Sequence, residues 1–292
     1  MATTNLAVLL TCFNRKDKTL LCLEQLQLAH RPHQTDIALT VYLTDDGSTD
    51  GTATAVKMAY PNVKLLQGTG DLYWAGGMRN SWDEALKYKH DAFLLLNDDT
   101  NVNLDFIQKL LDTHAFSLSK YNKPGIYVGS TKDANTQKLS YGGAKLTNKF
   151  LFKYHFITPD EKPLECDLGN ANIMWVPKAV VDQIGRLSDG YRHGVADYDY
   201  TLMAKKAGIP VLIAPGYLGT CTDDHDFAYT NFHKLTFKER IAKLKNPIGL
   251  DLKSNLLLQQ RYFPLRVPFV LISALVKVVF PKLYTKRFQL NQ

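Results

Sequence analysis

The sequence of 292 residues predicts an α/β fold: a mostly parallel central sheet, helices on both faces, and a helical C-terminal appendage. Three observations predict it. Strand and helix signals alternate through the first two thirds of the chain. Residues 93–100 read Phe-Leu-Leu-Leu-Asn-Asp-Asp-Thr, an unbroken apolar run of the kind found in strands buried on both faces. Acidic pairs stand at the ends of two such strands, and open α/β sheets bind ligands beyond their strands' carboxyl ends.

The elements follow in order. Asn5 to Cys12 reads as a strand, and Lys16 to Ala29 as a helix with Leu20, Leu23 and Leu26 spaced by three. Leu39 to Thr44 is a second strand, Thr52 to Ala59 a helix, and Val63 to Gln67 a short third strand. A helix is expected from Gly77 to about Lys89, then the apolar strand from Phe93. Leu104, Ile107, Leu110, Leu111, Ala115 and Leu118 fall on one face of the next helix. Past Pro124 the pattern loosens. Ile126 to Ser130 suits a strand, Leu139 to Ile157 hairpin-type structure around Gly142-Gly143, and Asn172 to Val176 a further strand. Helices are expected at Lys178 to Ile184 and Tyr198 to Ala207, with a strand at Val211 to Ala214. A boundary near residue 228 separates this domain (1–228, with halves 1–125 and 126–228) from a tail, 229–292.

Apolar content of 45% with 22% charged residues supports a substantial core. Cys12, Cys22, Cys166 and Cys221 show neither close metal-binding pairs nor a secreted disulfide framework, so free thiols in a reducing, cytoplasmic setting are expected. The start lacks signal-peptide character. Net charge is +7, but residues 234–292 carry 12 Lys or Arg against two acids, or +10, leaving −3 for the rest. That local excess points to an anionic surface.

Asp45-Asp46-Gly47-Ser48-Thr49-Asp50-Gly51 is turn chemistry, yet two carboxylates beside a buried strand exceed what a turn needs. Either can accept a hydrogen bond from a nucleobase N–H. Asn97-Asp98-Asp99-Thr100 presents hard oxygen ligands for Mg²⁺ or Mn²⁺, with Asp99 the first choice and Asp98 the next. Asp197 and Asp199 open a helix from which they cannot face the same way, so separate roles are expected, one of them a general base. Gly70, Gly76, Gly77 and Arg79 could line a phosphate-binding crevice. His225 could complete a metal shell.

In this order these pieces resemble family-2 glycosyltransferases, inverting nucleotide-sugar enzymes of the Rossmann-like GT-A fold. The matching features are Leu-Leu-Thr-Cys-Phe-Asn-Arg (9–15), the Asp-Asp-Gly-Ser-Thr-Asp-Gly-Thr block, Leu-Leu-Asn-Asp-Asp-Thr, Gly169-Asn170-Ala171-Asn172, and Ala196-Asp197-Tyr198-Asp199. The resemblance spans residues 5–225. It implies Asp46, or Asp45, at the nucleotide base, with Thr11, Asn14, Arg15 and Asp98 around the nucleotide. It further implies Asp99 at the metal, Asp197 as catalytic base, and Asn170, Trp175 and Asp199 beside the acceptor. Asn97 stands where the family's first Asp is usual, and Ala196 where a Glu is usual. Variants resembling bacterial rhamnosyl- or galactofuranosyltransferases look like this chain. The implied activity is metal-dependent transfer of a hexosyl or deoxyhexosyl group from a UDP- or dTDP-type donor, with inversion, to a glycan or polyprenyl-linked acceptor in cell-surface polysaccharide synthesis.

In the tail, Val267 to Phe280 is 14 apolar-rich residues, roughly 21 Å as a helix and short of the ~30 Å hydrocarbon core. Leu265, Phe269, Ile272, Val276 and Val279 share one face, with Arg266, Ser273 and Lys277 opposite. This suits a helix lying in an anionic membrane interface, placing the protein peripherally on the inner face of the membrane. The alternative is a helix docked on the catalytic domain or on a second subunit of a homo-oligomer. Nucleic acid is disfavoured, because the basic residues are interleaved with large aliphatics. No glycine-rich loop of a sugar nucleotidyltransferase follows Leu10, and no Gly-x-Gly-x-x-Gly of a dinucleotide oxidoreductase follows the first strand. A catalytically silent sugar-nucleotide-binding or scaffold protein is the remaining rival.

Overall fold

The computed structural model describes residues 3–222 and 231–283. In chain order its elements are β1 (Thr4–Cys12), α1 (Lys16–His30), β2 (Ile37–Asp45), α2 (Thr52–Ala59), β3 (Lys64–Gln67), α3 (Tyr73–Ala85), β4 (Ala92–Leu96), β5 (Asn101–Val102), α4 (Phe106–Tyr121) and β6 (Ile126–Lys132). They continue with β7 (Leu139–Tyr141), β8 (Gly143–Asn148), β9 (Lys153–Phe156), β10 (Leu164–Glu165), β11 (Leu168–Gly169), β12 (Ile173–Pro177), α5 (Lys178–Ile184), α6 (Ala196–Lys206) and β13 (Val211–Thr220). Three helices close the described chain: α7 (Phe237–Lys245), α8 (Leu252–Tyr262) and α9 (Val267–Val279).

The central sheet runs β10-β13-β6-β12-β4-β1-β2-β3. Strands β3, β2, β1 and β4 are parallel neighbours, as are β6 and β13, whereas β12 lies antiparallel between β4 and β6. The period of two in β1 divides its side chains between two apolar layers. Leu6, Val8 and Leu10 pack with Leu23 and Leu26 of α1 and with Phe106, Ile107 and Leu110 of α4. Ala7 and Leu9 pack on the other face with Met78 and Trp82 of α3, Val180 and Val181 of α5, and Tyr200 and Ala204 of α6. Burial on both faces explains why β4, Ala-Phe-Leu-Leu-Leu, shows no polar alternation.

Two features bear on the site. Helix α3 begins at Tyr73, so Gly76 and Gly77 lie inside the helix rather than in a loop. The C-terminal helices are present and pack on the domain. Leu258 and Phe263 join Ala75, Leu168, Tyr191, Ala196, Tyr198 and Leu202 in a third apolar cluster, which seats α8 on α6. Helix α7 opens on a capping box, Thr236-Phe-Lys-Glu239: the Thr236 hydroxyl accepts from the Glu239 N–H and the Thr236 N–H donates to the Glu239 carboxylate.

Candidate active site

The ends of β1 and β2 are locked to each other by short polar side chains. Asn14 adopts left-handed backbone (φ 51°), which lets its N–H donate to Ser48 Oγ at 2.9 Å while its Oδ1 accepts from the Thr49 N–H at 2.7 Å. Asp45 accepts from the Ser48 N–H at 2.8 Å, closing the turn after β2. Asp46 reaches instead toward the segment before α3, accepting from the Gly70 N–H at 2.8 Å and the Tyr73 N–H at 2.9 Å. A Cβ at Gly68 would lie 2.6 Å from an Asp46 oxygen, so the backbone approach there requires glycine. Two of the roughly four lone-pair positions of an ionised carboxylate are thereby used at Asp46, and capacity for about two further donors remains.

Next to Asp46 the network continues through α3. Trp74 donates its indole N–H to Asn97 Oδ1 at 2.7 Å, and the Asn97 N–H donates to the Asn172 carbonyl at 3.1 Å. The amide side chain at position 97 thus serves as an acceptor for Trp74 and carries no charge beside Asp98 and Asp99. Asp98 is buried, with the Thr19 hydroxyl donating to it at 3.0 Å and Arg15 3.6 Å away. Burial first, then the neighbouring Asp99 charge, pushes its carboxyl up to about 7, against the opposing pull of Arg15. Asp99 pairs directly with Arg15, accepts from the Cys221 thiol at 3.6 Å, and borders a small hollow of about 80 Å³ with Lys18, Asn101, Thr220 and Thr222.

Two adjacent carboxylates, one buried and resisting ionisation, with a single guanidinium between them, are donors that suit a hard divalent cation. No cluster of three or more His, Cys, Asp or Glu side chains able to hold an ion occurs among the described residues. A Mg²⁺-type site made of one or two carboxylates plus substrate phosphates needs none. His225 lies outside the described residues.

Asp197, in the first turn of α6, points back to the segment between β11 and β12. It accepts from Asn170 Nδ2 at 3.3 Å, from the Ala171 N–H at 3.4 Å and from its neighbour, the Tyr198 N–H, at 2.8 Å. Burial raises its carboxyl above the usual carboxylate range, and these hydrogen bonds partly offset the rise. Val195 before it holds left-handed backbone (φ 57°), as do Asn14 and Tyr73 (φ 55°), so three strained non-glycine residues ring the same region.

Several residues expected in the site do other work. Asp199 is fully buried, with the Tyr191 hydroxyl donating at 2.9 Å and Arg261 bridging both its oxygens at 2.9 and 3.0 Å. A carboxylate so committed anchors α8 and is not available to an acceptor. Trp175 is buried in the core on β12, paired with Leu94 and Tyr127, because alternate side chains of a central strand must face one core layer or the other. Arg79 spends its guanidinium on the Ser188 and Tyr191 carbonyls (3.1 and 2.8 Å) and on Asp189 at 3.5 Å, holding that loop rather than a phosphate. A Cβ at Gly77 would stand 2.0 Å from Thr11 Oγ1, so both serve close helix–strand packing. Gly76 likewise lies against Leu72 within α3. Thr19 and Trp74, which position Asp98 and Asn97, were not singled out from the sequence. A hydroxyl and an indole inside helical patterns carry no local mark of such a role.

Three comparisons bear on this arrangement. The sequence profile of glycosyl transferase family 2 matches residues 7–171. No curated protein sequence matches. Among solved structures, a mannosyltransferase from Pyrobaculum calidifontis, PcManGT, determined in complex with GDP-Man and Mn²⁺, superposes with a TM-score of 0.54 at 14% identity, over 97% of this chain and 89% of that one. TarS of S. aureus superposes with a TM-score of 0.50 at 14% identity, over 83% of this chain and 40% of that one. At such identities the likeness is one of fold, and the fold is the GT-A fold of glycosyltransferases. The profile covers more than half of the sequence, from within β1 to Ala171, and the chain belongs to glycosyl transferase family 2.

Proposed function

We propose that the cleft transfers a sugar, with inversion, from a nucleoside-diphosphate sugar to an acceptor hydroxyl. What carries the reading is one continuous line of hydrogen bonds joining three acidic motifs distant in sequence. Asp46 accepts from Tyr73, the adjacent Trp74 donates to Asn97 beside Asp98 and Asp99, Asn97 donates to Asn172, and the neighbouring Asn170 and Ala171 donate to Asp197. Asp46, or Asp45, accepts from the nucleobase, while Asn14 and Arg15 border the nucleotide. Asp99, backed by Asp98, would hold Mg²⁺ or Mn²⁺, which offsets charge on the departing diphosphate. The mannosyltransferase relative was determined with Mn²⁺ and a nucleotide sugar, which favours this assignment.

Asp197 takes the proton of the attacking hydroxyl. Its raised affinity for protons makes it a stronger base than an ordinary carboxylate. The hydroxyl oxygen forms the new bond to the anomeric carbon as the bond to the diphosphate oxygen breaks on the opposite side, so no covalent enzyme intermediate arises. Asn170 fixes the carboxylate and borders the acceptor. The nucleotide is UDP or dTDP, the sugar a hexosyl or deoxyhexosyl group, and the acceptor a glycan or polyprenyl-linked glycan of the cell surface. Donor hydrolysis with Mn²⁺, screened over UDP-, dTDP- and GDP-sugars, tests the reading. Hydrolysis of one donor class, lost on chelation, is expected, and no turnover with any donor would refute it.

The reading includes peripheral attachment to the cytoplasmic face of the membrane. Among the described residues no helix is long and apolar enough to cross a membrane. Helix α9 and the turn before it nevertheless leave Leu265, Phe269, Ile272 and Leu275 60–72% exposed in one stripe, with Lys282 exposed beyond it. Such a face inserts shallowly into an anionic bilayer. Phe269→Ser with Ile272→Ser should abolish sedimentation with vesicles of phosphatidylglycerol and phosphatidylcholine. Unchanged sedimentation would remove the membrane from the proposal.

A further inference from the structure

The small sheet β11-β8-β9 turns one face to α6, the helix that carries Asp197. Directly paired residues of antiparallel strands share a face, so Leu168, Ala144 and Phe156 stand on the same side, together with Leu146 and Tyr154. Leu168, Ala144 and Leu146 pack there against Tyr198 and Leu202 of α6. Strand β9 is the edge of this sheet, and its side chains outrun that cover. Tyr154 and Phe156 are left 38% and 41% exposed although they belong to the inner face. Lys153 and His155 alternate onto the outer face, so the inner face of β9 carries no charge.

These rings form a row that ends at the candidate base. Ring centroids step 5.9 Å from Phe156 to Tyr154 and 5.7 Å from Tyr154 to Tyr198, each pair edge to face. Such contacts fix the rings in place. Tyr198 follows Asp197 and donates its N–H to that carboxylate at 2.8 Å. Asp197 and its partner Asn170 are both half-buried, so the row runs into a carboxylate and an amide that solvent reaches. Ring faces leading to polar groups match a pyranose, which has an apolar C–H face and a rim of hydroxyls. An aliphatic chain would leave the polar end of the row unpaired. We infer that Tyr154 and Phe156 form a subsite for an uncharged sugar ring of the acceptor, one ring behind the sugar whose hydroxyl meets Asp197. The subsite's purpose rests on the glycosyl-transfer reading, whereas the binding of sugar there does not. It makes the enzyme selective for acceptor length: two sugar rings are needed, and the second is recognised by its C–H face.

Saturation-transfer NMR on the full-length protein tests this with cellobiose, lactose, maltose and N,N′-diacetylchitobiose, each beside the methyl glycoside of its terminal sugar. Saturable binding of at least one disaccharide is expected, with its methyl glycoside about tenfold weaker, the order of magnitude of a strong aromatic contact. Tyr154→Ala with Phe156→Ala should weaken that disaccharide about tenfold. Tyr154→Phe, which keeps the ring, and His155→Ala, on the outer face, should each bind within about twofold of the unaltered protein. Melting curves confirm that each variant is folded. Equal disaccharide binding by the folded double variant overturns the inference, as does binding of none of the four disaccharides. Self-association that the double variant abolishes, in a protein that binds no sugar, would make a second copy the occupant. Donor hydrolysis by the unaltered protein is measured separately. Sugar binding lost in the double variant, without hydrolysis of any donor, refutes the transfer reading alone. Hydrolysis without sugar binding refutes the subsite alone.

Discussion

The acidic cleft and the C-terminal helical layer lie on opposite sides of α6 and handle charge in opposite ways. In the cleft, acids are gathered close together around one cation, Arg15 on Asp99, and are otherwise held by neutral donors: backbone amides at Asp46, a hydroxyl at Asp98, a side-chain amide at Asp197. In the layer, three arginines are spent on protein partners while several large apolar side chains, Leu265, Phe269 and Ile272 among them, face outward. Arg261 is spent on Asp199, Arg240 on the Leu235 and Val278 carbonyls, and Arg266 on the β8–β9 turn. Asp197 and Asp199 make the contrast within one helical turn. One is a carboxylate with neutral partners and a raised proton affinity; the other is an anchor neutralised by an arginine. A strained or under-compensated charge stores chemical potential for a ligand, whereas a fully paired one stores stability.

That contrast can be broken experimentally, most sharply at α6. Asp197→Asn should lower transfer by about 10³-fold, within the span of lost general-base catalysis, with nucleotide affinity unchanged by calorimetry. The unaltered protein should in turn lose transfer rate as pH falls through a value above the ordinary carboxylate range, since Asp197 must be ionised to accept a proton. A variant retaining full transfer would end its role as base.

Arg261→Ala should act on stability instead. Leaving Asp199 buried without its cation costs about 3 kcal/mol, discounted because Arg261 is itself partly exposed, and chemical unfolding reads this directly. Unfolding should begin in α8. If stability is unchanged while transfer collapses, Asp199 belongs to the cleft after all.

A smaller effect is expected at the junction of β1 and α3. Gly77→Ala drives a methyl into Thr11 and should cost about 2 kcal/mol of stability, the usual range for overpacking. An unchanged midpoint would mean that α3 can shift away from β1.

A last effect concerns Asp98. Its proton affinity in the folded protein, about 7, exceeds the ordinary value of 3.8. Between those values the folded state binds more protons than the unfolded one, so this group's contribution to stability falls as pH rises through that window. Asp98→Asn removes the penalty. It should stabilise the fold at pH 8, by at most about 4 kcal/mol, and leave it nearly unchanged near pH 4, as followed by urea unfolding. Destabilisation at pH 8 would show that Asp98 is ionised and well paired.

Much of this was written in local sequence. The burial of β1 and β4 follows from Leu-Ala-Val-Leu-Leu and Phe-Leu-Leu-Leu, and the turn after β2 follows from Asp, Ser and two glycines, because propensity and periodicity act over a few residues. The ends of those strands were sufficient to bring the acidic pairs under suspicion. The basic tail was legible as amphipathic, but not which side of it meets the protein: Arg240 and Arg266 bond to protein carbonyls, and the stripe of Leu265, Phe269 and Ile272 is left outside.

Sequence by itself determined that the chain alternates strand and helix, that it would bury its first and fourth strands on both faces, and that carboxylates would stand where the second and fourth strands end. Tertiary structure alone decided which carboxylate received an arginine. Asp199 met Arg261, 62 positions away, while Asp197 met Asn170 and Ala171. Partner choice depends on where distant segments dock, and docking is settled by the apolar cluster around Leu258, Tyr191 and Tyr198 rather than by any residue's immediate neighbours.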